Sequence, residues 1–563
     1  MKNISKVLAK VAIVFLITGA CMISTGAEIK IPEIKTARNY GGERLDHFSA
    51  VIATADGGYL AVGFTNGKGL VGTPHEWDNG GSQRNDGLAI KFDAEGNIEW
   101  AYCYGGLEDS DIFLDVVERP EGGYVIVGIS TNNSTYYSYS AIPNERPDEK
   151  NDTNGIVVVL DEYGVMIHAY AYGGKDVDQF HAIDAIPGGG YVVAGVSNGN
   201  SDMNAGDPQK NWGTADSTEY RDYDGILLVL DENADVILAN NYGGMKFEWF
   251  TDVVALDDDE GFLVVGYSLG SSEMAGEHNW GNYGGPYGDA IALKVNMDGE
   301  VIWANNYGGK GGDDFLNVTK LPNKEGFLVV GTTTHESTMF GGDPVKDWNC
   351  QTQSMDRNDA IAVKLNYNGE VIWANNYGGS ELDTFEKVIT LADNEGYLIV
   401  GQSHGTSVTS GGDPIAEWGS HGSLKNMDAI AVKMNPDGTI AWAMNYGGYG
   451  MDVFLGVAVL KGSGDYVFAG ITQEQSSMAD GDPEKNWGYY GGDMDAIIVR
   501  LGVKDTSTPP EPSIPPVTPP VTPPVVKPPV IPPTGVSTGA STWGITLGLA
   551  MLAIIVINNK KED

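Results

Sequence analysis

The chain has 563 residues with 76 acidic against 34 basic, a net charge of −42, and 42% of it is hydrophobic. That length exceeds one ordinary core and calls for several domains or a repeat array, and the apolar share excludes a disordered polyelectrolyte. So negative a chain argues against nucleic acid and anionic membrane surfaces as partners, because both repel polyanions.

In chain order, residues 1–27 come first. Lys2, Lys6 and Lys10 precede the apolar run Val11–Ala20, and Thr25-Gly26-Ala27 supplies small residues before Glu28. This is the layout of a secretory signal peptide, with cleavage before Glu28. Thr18-Gly19-Ala20-Cys21 keeps a lipoprotein alternative open. Cys103 and Cys350 are the other cysteines, so at most one bridge is possible once the leader is gone, and a disulfide scaffold is excluded.

Residues 28–503 repeat one unit seven times. Tyr-Gly-Gly recurs at Tyr40, Tyr104, Tyr172, Tyr242, Tyr307, Tyr377 and Tyr446. Shortly after each comes an acid, any residue, then phenylalanine: Asp46/Phe48, Asp111/Phe113, Asp178/Phe180, Glu248/Phe250, Asp313/Phe315, Asp383/Phe385 and Asp452/Phe454. Seven hits from seven define an array. The 77 glycines, without a collagen period, demand many turns and short strands. Each copy reads as four strands, for example Phe113–Val117, Tyr397–Gly401, Asp359–Val363 and Glu370–Tyr377. Steps such as Asn368-Gly369 and Asp437-Gly438 close the hairpins. The second strands are apolar on both sides, as in Leu328-Val329-Val330, so the sheets must be covered on both faces by their neighbours.

Seven stacked four-stranded sheets predict an all-β fold, a seven-bladed β-propeller of antiparallel blades. The frame of the repeats predicts how it closes. Before Tyr40 the chain offers only a fourth strand, Ile34–Asn39, and after Asp495–Leu501 no fourth strand follows. The N-terminal strand therefore fits as the outer strand of the last blade and removes the free edges.

The repeat block, about residues 30–503, resembles the bacterial β-propeller repeats of secreted and surface proteins. Their pattern combines a Trp-containing strand, Tyr-Gly-Gly, an acid, Gly-Gly-Tyr with an apolar run, and Asp-Ala before an apolar strand. The resemblance implies the fold rather than an activity. Blade 2 departs from the pattern, with Asn154 at the third-strand aspartate and His168 where Trp100, Trp303, Trp373 and Trp442 stand. The Asn-Gly-Glu-x-x-Trp steps are similar to those of quinoprotein dehydrogenase blades, through turn and packing residues.

The repeated acids, including Asp86, Asp224, Asp289, Asp359, Asp428 and Asp495, read as structural acceptors of backbone N–H groups, since a catalytic site needs asymmetry. No zinc spacing, EF-hand loop, phosphate loop or Gly-x-Ser-x-Gly elbow occurs. Catalytic residues and cofactors are therefore assigned to none. The Asp-rich, Gly-rich loops supply oxygens of the kind calcium takes, but no ligand spacing marks a Ca2+ site.

The informative feature is the long link from second to third strand. Four links carry Gly-Asp-Pro-x-x-x-Trp, ending at Trp212, Trp348, Trp418 and Trp487, and two keep reduced forms ending at Trp77 and Trp280. Blade 2 has Tyr136, Tyr137 and Tyr139 instead. Each tryptophan either plugs its own loop, with Met203, Met274, Met339 and Met478 as packing partners, or stands open to stack on a sugar or peptide. These six tryptophans are the candidate ligand-binding residues.

Residues 504–534 form a stalk. Pro509 to Pro533 holds 13 of the 26 prolines in 25 residues, an extended polyproline stretch reaching roughly 80 Å. Residues 535–563 contain an apolar segment, Trp543–Ile557, and the tail Asn558–Asp563. At 15 residues the segment is short of the roughly 20 that span a bilayer. Ile531-Pro532-Pro533-Thr534-Gly535, the apolar stretch and the lysine-bearing end together resemble the sorting signal of Gram-positive cell-wall proteins. The resemblance implies cleavage by a sortase between Thr534 and Gly535 and attachment of Thr534 to peptidoglycan; an ordinary C-terminal membrane anchor, a transmembrane helix, is the alternative. The expected address is extracellular, on the cell wall or cell surface. The expected function is a non-catalytic binding or adhesion module for an extracellular carbohydrate or protein, and the alternative is a hydrolase or lyase with its site at the channel mouth.

Overall fold

In the computed structural model, residues 32–502 are described except 43, 70–76, 79–83, 106–109, 132–152, 174–176, 199–222, 244–246, 270–287, 309–310, 335–357, 379–381, 405–426, 448–449 and 474–493. The expected leader, stalk and sorting segment lie outside the described residues. Among the described residues no helix is long and apolar enough to cross a membrane.

Seven four-stranded antiparallel sheets make the fold. The innermost strands are Asp46–Ala53, Asp111–Glu118, Asp178–Ala185, Phe247–Ala255, Asp313–Lys320, Asp383–Thr390 and Asp452–Val459. Each packs against the next, and the last packs against the first, so the array is a closed ring. The expected seven-bladed propeller is the fold. Blades 1 to 7 are numbered here by these inner strands, with strands counted from channel to rim.

Closure uses the strand the sequence points to. Glu33–Tyr40 is the fourth strand of blade 7, antiparallel to Asp495–Gly502 from Glu33 opposite Gly502 to Tyr40 opposite Ala496. Asn39 Nδ2 donates to Asp495 Oδ2 at 2.9 Å. The same bond runs within other blades, from Asn241 to Asp224 at 2.8 Å and from Asn376 to Asp359 at 3.0 Å. Residues nearly the whole chain apart therefore make an ordinary in-blade contact. Arg500 secures the seam further, through Nε to Asp465 at 2.7 Å and Nη1 to the Ala94 carbonyl of blade 1 at 2.6 Å.

The second strands are buried on both faces, as Tyr59–Thr65 and Tyr466–Thr472 are throughout. Each hydrophobic cluster joins neighbouring blades; Phe113 of blade 2 lies among Leu60, Val62 and Ala89 of blade 1. That packing explains the Asp-Ala or Asp-Gly rule of the third strands. A Cβ on Gly87 would sit 2.6 Å from the Phe113 ring, and one on Gly225 2.7 Å from Phe250. Elsewhere alanine takes the position, as Ala360 does in the cluster that holds Phe385.

At the rim, the fourth strand rests on the next blade's outer hairpin. Tyr104, Tyr242, Tyr307 and Tyr377 donate through their hydroxyls to the carbonyls of Gly164, Gly299, Gly369 and Gly438 at 2.7–2.8 Å. Gly164 has φ +78°, and a Cβ there would meet the Trp100 ring at 2.9 Å, so this hairpin is confined to glycine twice over. Trp100 Nε1 donates to the Glu162 carbonyl at 3.1 Å, and His168 of blade 2 bonds the Asn233 carbonyl at 3.0 Å. The histidine departure thus preserves the contact.

A closed ring with one spliced blade predicts a single protease-resistant core of roughly residues 30–503; stable fragments of two or three blades would contradict closure. Deleting 33–40 should abolish the single cooperative melt, because it uncovers the Asp495–Gly502 strand along its length; an unchanged melt would show that the splice is dispensable.

Candidate functional site

Of the six candidate tryptophans, Trp212, Trp280, Trp348, Trp418 and Trp487 lie outside the described residues, as do Thr534 and Gly535. Trp77 opens a two-residue strand, Trp77–Asp78, paired with Lys68–Gly69. What the described strands do fix is where the long links start. At every junction the first glycine of Tyr-Gly-Gly is bracketed by the acid opening the inner strand and the residue opening the preceding blade's third strand. The sets are Gly41 with Asp46 and Asp495, Gly105 with Asp111 and Asp86, Gly173 with Asp178 and Asn154, and Gly243 with Glu248 and Asp224. Gly308, Gly378 and Gly447 sit likewise between Asp313 and Asp289, Asp383 and Asp359, and Asp452 and Asp428. A Cβ on any of these glycines would come within 2.7 Å of a side-chain oxygen. First-strand and third-strand starts are thus neighbours all round the ring, so all seven long links leave from one face. They run from 19 residues, between Leu269 and Asp289, to 24, between Asn198 and Tyr223.

The third-strand acids Asp224, Asp289, Asp359, Asp428 and Asp495 accept a fourth-strand asparagine amide instead of the expected backbone N–H, while the inner-strand acids take a turn N–H or a second-strand hydroxyl. Asp46 Oδ2 accepts the Gly42 N–H at 2.9 Å, and Thr333 and Ser403 hydroxyls donate to Asp313 and Asp383 at 2.6 Å. Packing two carboxyls so close has an electrostatic consequence. Burial pushes the Asp46 pKa up to about 7, against the Thr65 hydroxyl and the Gly42 N–H, with Asp495 adding to the rise. Burial and then the charge of Asp111 push Asp86 up to about 8.

The channel wall is not symmetric. Two residues after each Phe the inner strand carries a register shift, and the residue there is Ala50, Asp115, Ala182, Asp252, Asn317, Lys387 or Gly456. From blade 2 to blade 6, side chains clip one inner strand to the next. Asp115 accepts the Ile183 N–H at 3.1 Å, Asp184 the Ala255 N–H at 2.9 Å, Asp252 the Val318 N–H at 2.8 Å, and Asn317 Oδ1 the Val388 N–H at 2.8 Å. Lys387 Nζ ends the series 3.9 Å from Asp252 Oδ1. Burial pulls the Lys387 pKa down, but Asp115, Asp252 and Asp184 outweigh it and hold it above the usual value. It is a fixed cation, not an amine nucleophile.

On the face of the long links, the motif position between acid and phenylalanine breaks the symmetry further. It holds His47, Ile112, Gln179, Trp249, Asp314, Thr384 and Val453. Trp249 anchors an aromatic group at the junction of blades 3 and 4. It stacks on His181 at 4.8 Å and on Phe247 at 5.5 Å, Tyr267 stacks on Phe247 at 5.6 Å, and Tyr223 meets Phe247 edge-on at 5.0 Å. One blade on, burial pushes Asp314 up to about 7, and its charge reaches the Tyr267 phenol, which burial already holds above its usual range. A further blade on, burial pushes Glu386 up to about 8. Trp249 is itself 8% exposed, so the group is a packed aromatic layer whose half-buried members are Tyr223, Phe247 and Tyr267, followed along the ring by carboxyls whose proton affinity burial raises. Sequence reading passed over these residues because the motif admits any residue there. The available signal was that variability, in a motif otherwise constant through seven copies.

No family model matches the chain, and no curated protein matches it in sequence. Among solved structures it is similar to the Neurospora crassa Pan2 WD40 domain, at 9% identity and TM-score 0.36, over 84% of this chain and 98% of that one. It is similar to the quinohemoprotein alcohol dehydrogenase ADHIIG from Pseudomonas putida HK5, at 10% and 0.35, over 86% and 78%. It is also similar to Sqt1 from Chaetomium thermophilum, at 10% and 0.37, over 84% and 100%. Likeness at this level carries no inference about ligand or activity. Among the described residues no group of three His, Cys, Asp or Glu side chains could hold a metal ion.

The raised carboxyls fix the sign of the pH dependence. Asp46, Asp86, Asp252, Asp314 and Glu386 all titrate higher in the fold, near 7 to 8, than in the unfolded chain, near 4. Their contribution is complete below pH 4 and is lost as pH rises through 8. Glu260, held down to about 2 by Lys324 and Tyr367, acts oppositely and only below about pH 4.5. Melting temperature should therefore peak near pH 4 to 5 and fall toward pH 8. Asp86→Asn, which copies Asn154 of blade 2, should raise the melting temperature at pH 8 by roughly 2 °C and leave it unchanged at pH 4.5. A flat profile in both proteins would refute this electrostatic account.

Proposed function

We propose that the protein is an exported surface module that binds carbohydrate on the long-link face of its propeller and serves attachment rather than chemistry. The observation that supports this reading is the arc over blades 3 to 6. It carries the half-buried rings of Tyr223, Phe247 and Tyr267, packed on Trp249, and then the Asp314 carboxyl in blade 5 and the Glu386 carboxyl in blade 6, on inner strands that start at the face from which the tryptophan-bearing links leave. Flat aromatic faces take the C–H side of a sugar ring, and carboxyls take its hydroxyls. Residues 1–27 fit export, and the Ile531–Gly535 motif fits covalent attachment to peptidoglycan through Thr534.

The test is a glycan and peptidoglycan array on the 28–503 fragment. Trp212, Trp348, Trp418 and Trp487 changed to alanine should reduce binding cumulatively at unchanged melting temperature, because multivalent attachment multiplies modest affinities. Destabilisation of roughly 3 kcal/mol or more per site with intact binding would make them loop plugs and remove them from the site. Substituting Thr534 and Gly535 should release the protein from the wall; continued covalent attachment would refute the sorting assignment.

A second reading has one observation of its own. Glycoside cleavage needs one protonated carboxyl to protonate the leaving oxygen and one ionised carboxylate as base or nucleophile. Glu386, raised to about 8, and Asp314, raised to about 7, lie on adjacent blades and would divide those roles near neutral pH. Release of reducing ends from array-positive glycans, abolished by Glu386→Gln, would establish the hydrolase. Intact glycans after prolonged incubation would leave the binding module.

A further inference from the structure

Side chains strap neighbouring blades together at two radii. On the channel wall, Asp115, Asp184, Asp252 and Asn317 accept N–H groups of the next inner strand, from blade 2 through to blade 6. At the rim, Tyr104, Tyr242, Tyr307 and Tyr377 donate to a glycine carbonyl in the next blade's outer hairpin, and His168 bonds the Asn233 carbonyl between blades 2 and 3. Blades 1 and 2 gain a further strap, because the Glu118 carboxylate accepts the Ala55 N–H at 2.8 and 2.9 Å. Blades 7 and 1 are tied by Arg500, whose Nη1 donates to the Ala94 carbonyl at 2.6 Å.

Among the described residues, the junction of blades 6 and 7 has neither kind of strap, and the chemistry of two residues explains why. The channel-wall position of blade 6 is Lys387, an ammonium that can only donate and so cannot take an N–H from the next inner strand. Its Nζ turns to Asp252 Oδ1, 3.9 Å away in blade 4. The rim strap fails because blade 7 has no outer hairpin. Its third strand ends at Gly502 and its fourth begins at Glu33, from opposite ends of the repeat block, so no turn carbonyl stands there for Tyr446. The Tyr446 hydroxyl meets the Met444 sulfur of its own strand instead, at 3.8 Å. Apolar contact holds this junction, with Phe454 and Phe468 of blade 7 against Leu398, Val400, Trp442 and Tyr446 of blade 6.

A net hydrogen bond shifts an opening equilibrium by about two- to tenfold, so the lack of both straps sets this junction apart from the other six. We propose that the closed ring opens reversibly between blades 6 and 7, with blade 7 turning on the Arg500 strap to blade 1. Opening there breaks no strand pairing, because all four strands of blade 7, the spliced one included, are paired within that blade. It uncovers Trp442, Phe454 and Phe468, all buried in the closed ring. The same splice that removes the free edges of the ring thus fixes the place where the ring parts.

The test is thiol labelling of the full chain with a cysteine placed, one at a time, at four equivalent alanines, each following a third-strand aspartate. Ala290→Cys, Ala360→Cys, Ala429→Cys and Ala496→Cys report the junctions of blades 4 and 5, 5 and 6, 6 and 7, and 7 and 1, and all four alanines are fully buried. Peptide mass mapping reads each site separately from Cys103 and Cys350. Ala429→Cys should react at least tenfold faster than the other three at equal melting temperature. Tyr377→Phe, which removes the rim strap between blades 5 and 6, should speed Ala360→Cys and leave Ala429→Cys unchanged. Should Ala429→Cys fail to fold, Ala431→Cys in the same cluster takes its place. Equal rates at all four sites mean global unfolding alone and overturn the proposal. A faster rate at any other junction overturns it too, as does an Ala360→Cys rate that Tyr377→Phe does not move.

Discussion

The propeller depends on one repeated junction, in which a phenylalanine ring and a carboxyl from one blade are laid against the third strand of the blade before it. Phe113 covers Gly87 so closely that a methyl would collide, while Asp111 and Asp86 close over Gly105. The ring supplies the apolar burial, and the acid fixes its register by holding the turn that enters the inner strand. Neither could be moved without the other, since they are two residues apart on one strand. Seven such junctions fix blade separation and rotation, and the ring closes when the seventh is made between Phe48 and Ala496.

This explains why so much of the fold was legible in the sequence. Tyr-Gly-Gly, the acid-x-Phe step and the Asp-Ala or Asp-Gly pair are the three parts of the junction, and each residue type is forced by contact with the others. The splice was legible for a related reason: Ile34–Asn39 had the signature of a fourth strand and no blade of its own. Blade 2 shows how far substitution can go. His168 and Asn154 differ from the repeat, yet His168 keeps a hairpin bond and Asn154 keeps its place beside Gly173.

The candidate site was much less legible, because it occupies what the junction leaves undetermined. The residue between acid and phenylalanine takes no part in the phenylalanine packing, so the repeat lets it vary from Ile112 to Trp249 to Asp314. Reading the motif as a motif hides that freedom. The Lys387 series was equally invisible, since it follows from register shifts at Asp115, Asp252, Asn317 and Lys387, in four different blades, that the spacing of the motif does not show. Only the tryptophans announced themselves in the sequence, and all of the six candidates but Trp77 lie outside the described residues.

The splice has a mechanical consequence. The chain leaves the propeller at Gly502, the end of a strand held on one side by Tyr466–Thr472 and on the other by Glu33–Tyr40. A pull on the chain beyond Gly502 therefore loads an interior strand along its axis. The hydrogen bonds to both neighbours must slide together, in shear, instead of parting one pair at a time as at a sheet edge. Were the outer strand supplied in sequence order, the last strand would be an edge and would peel. The N-terminal strand thus makes the exit point of the chain an interior strand, loaded in shear, where it would otherwise be an edge.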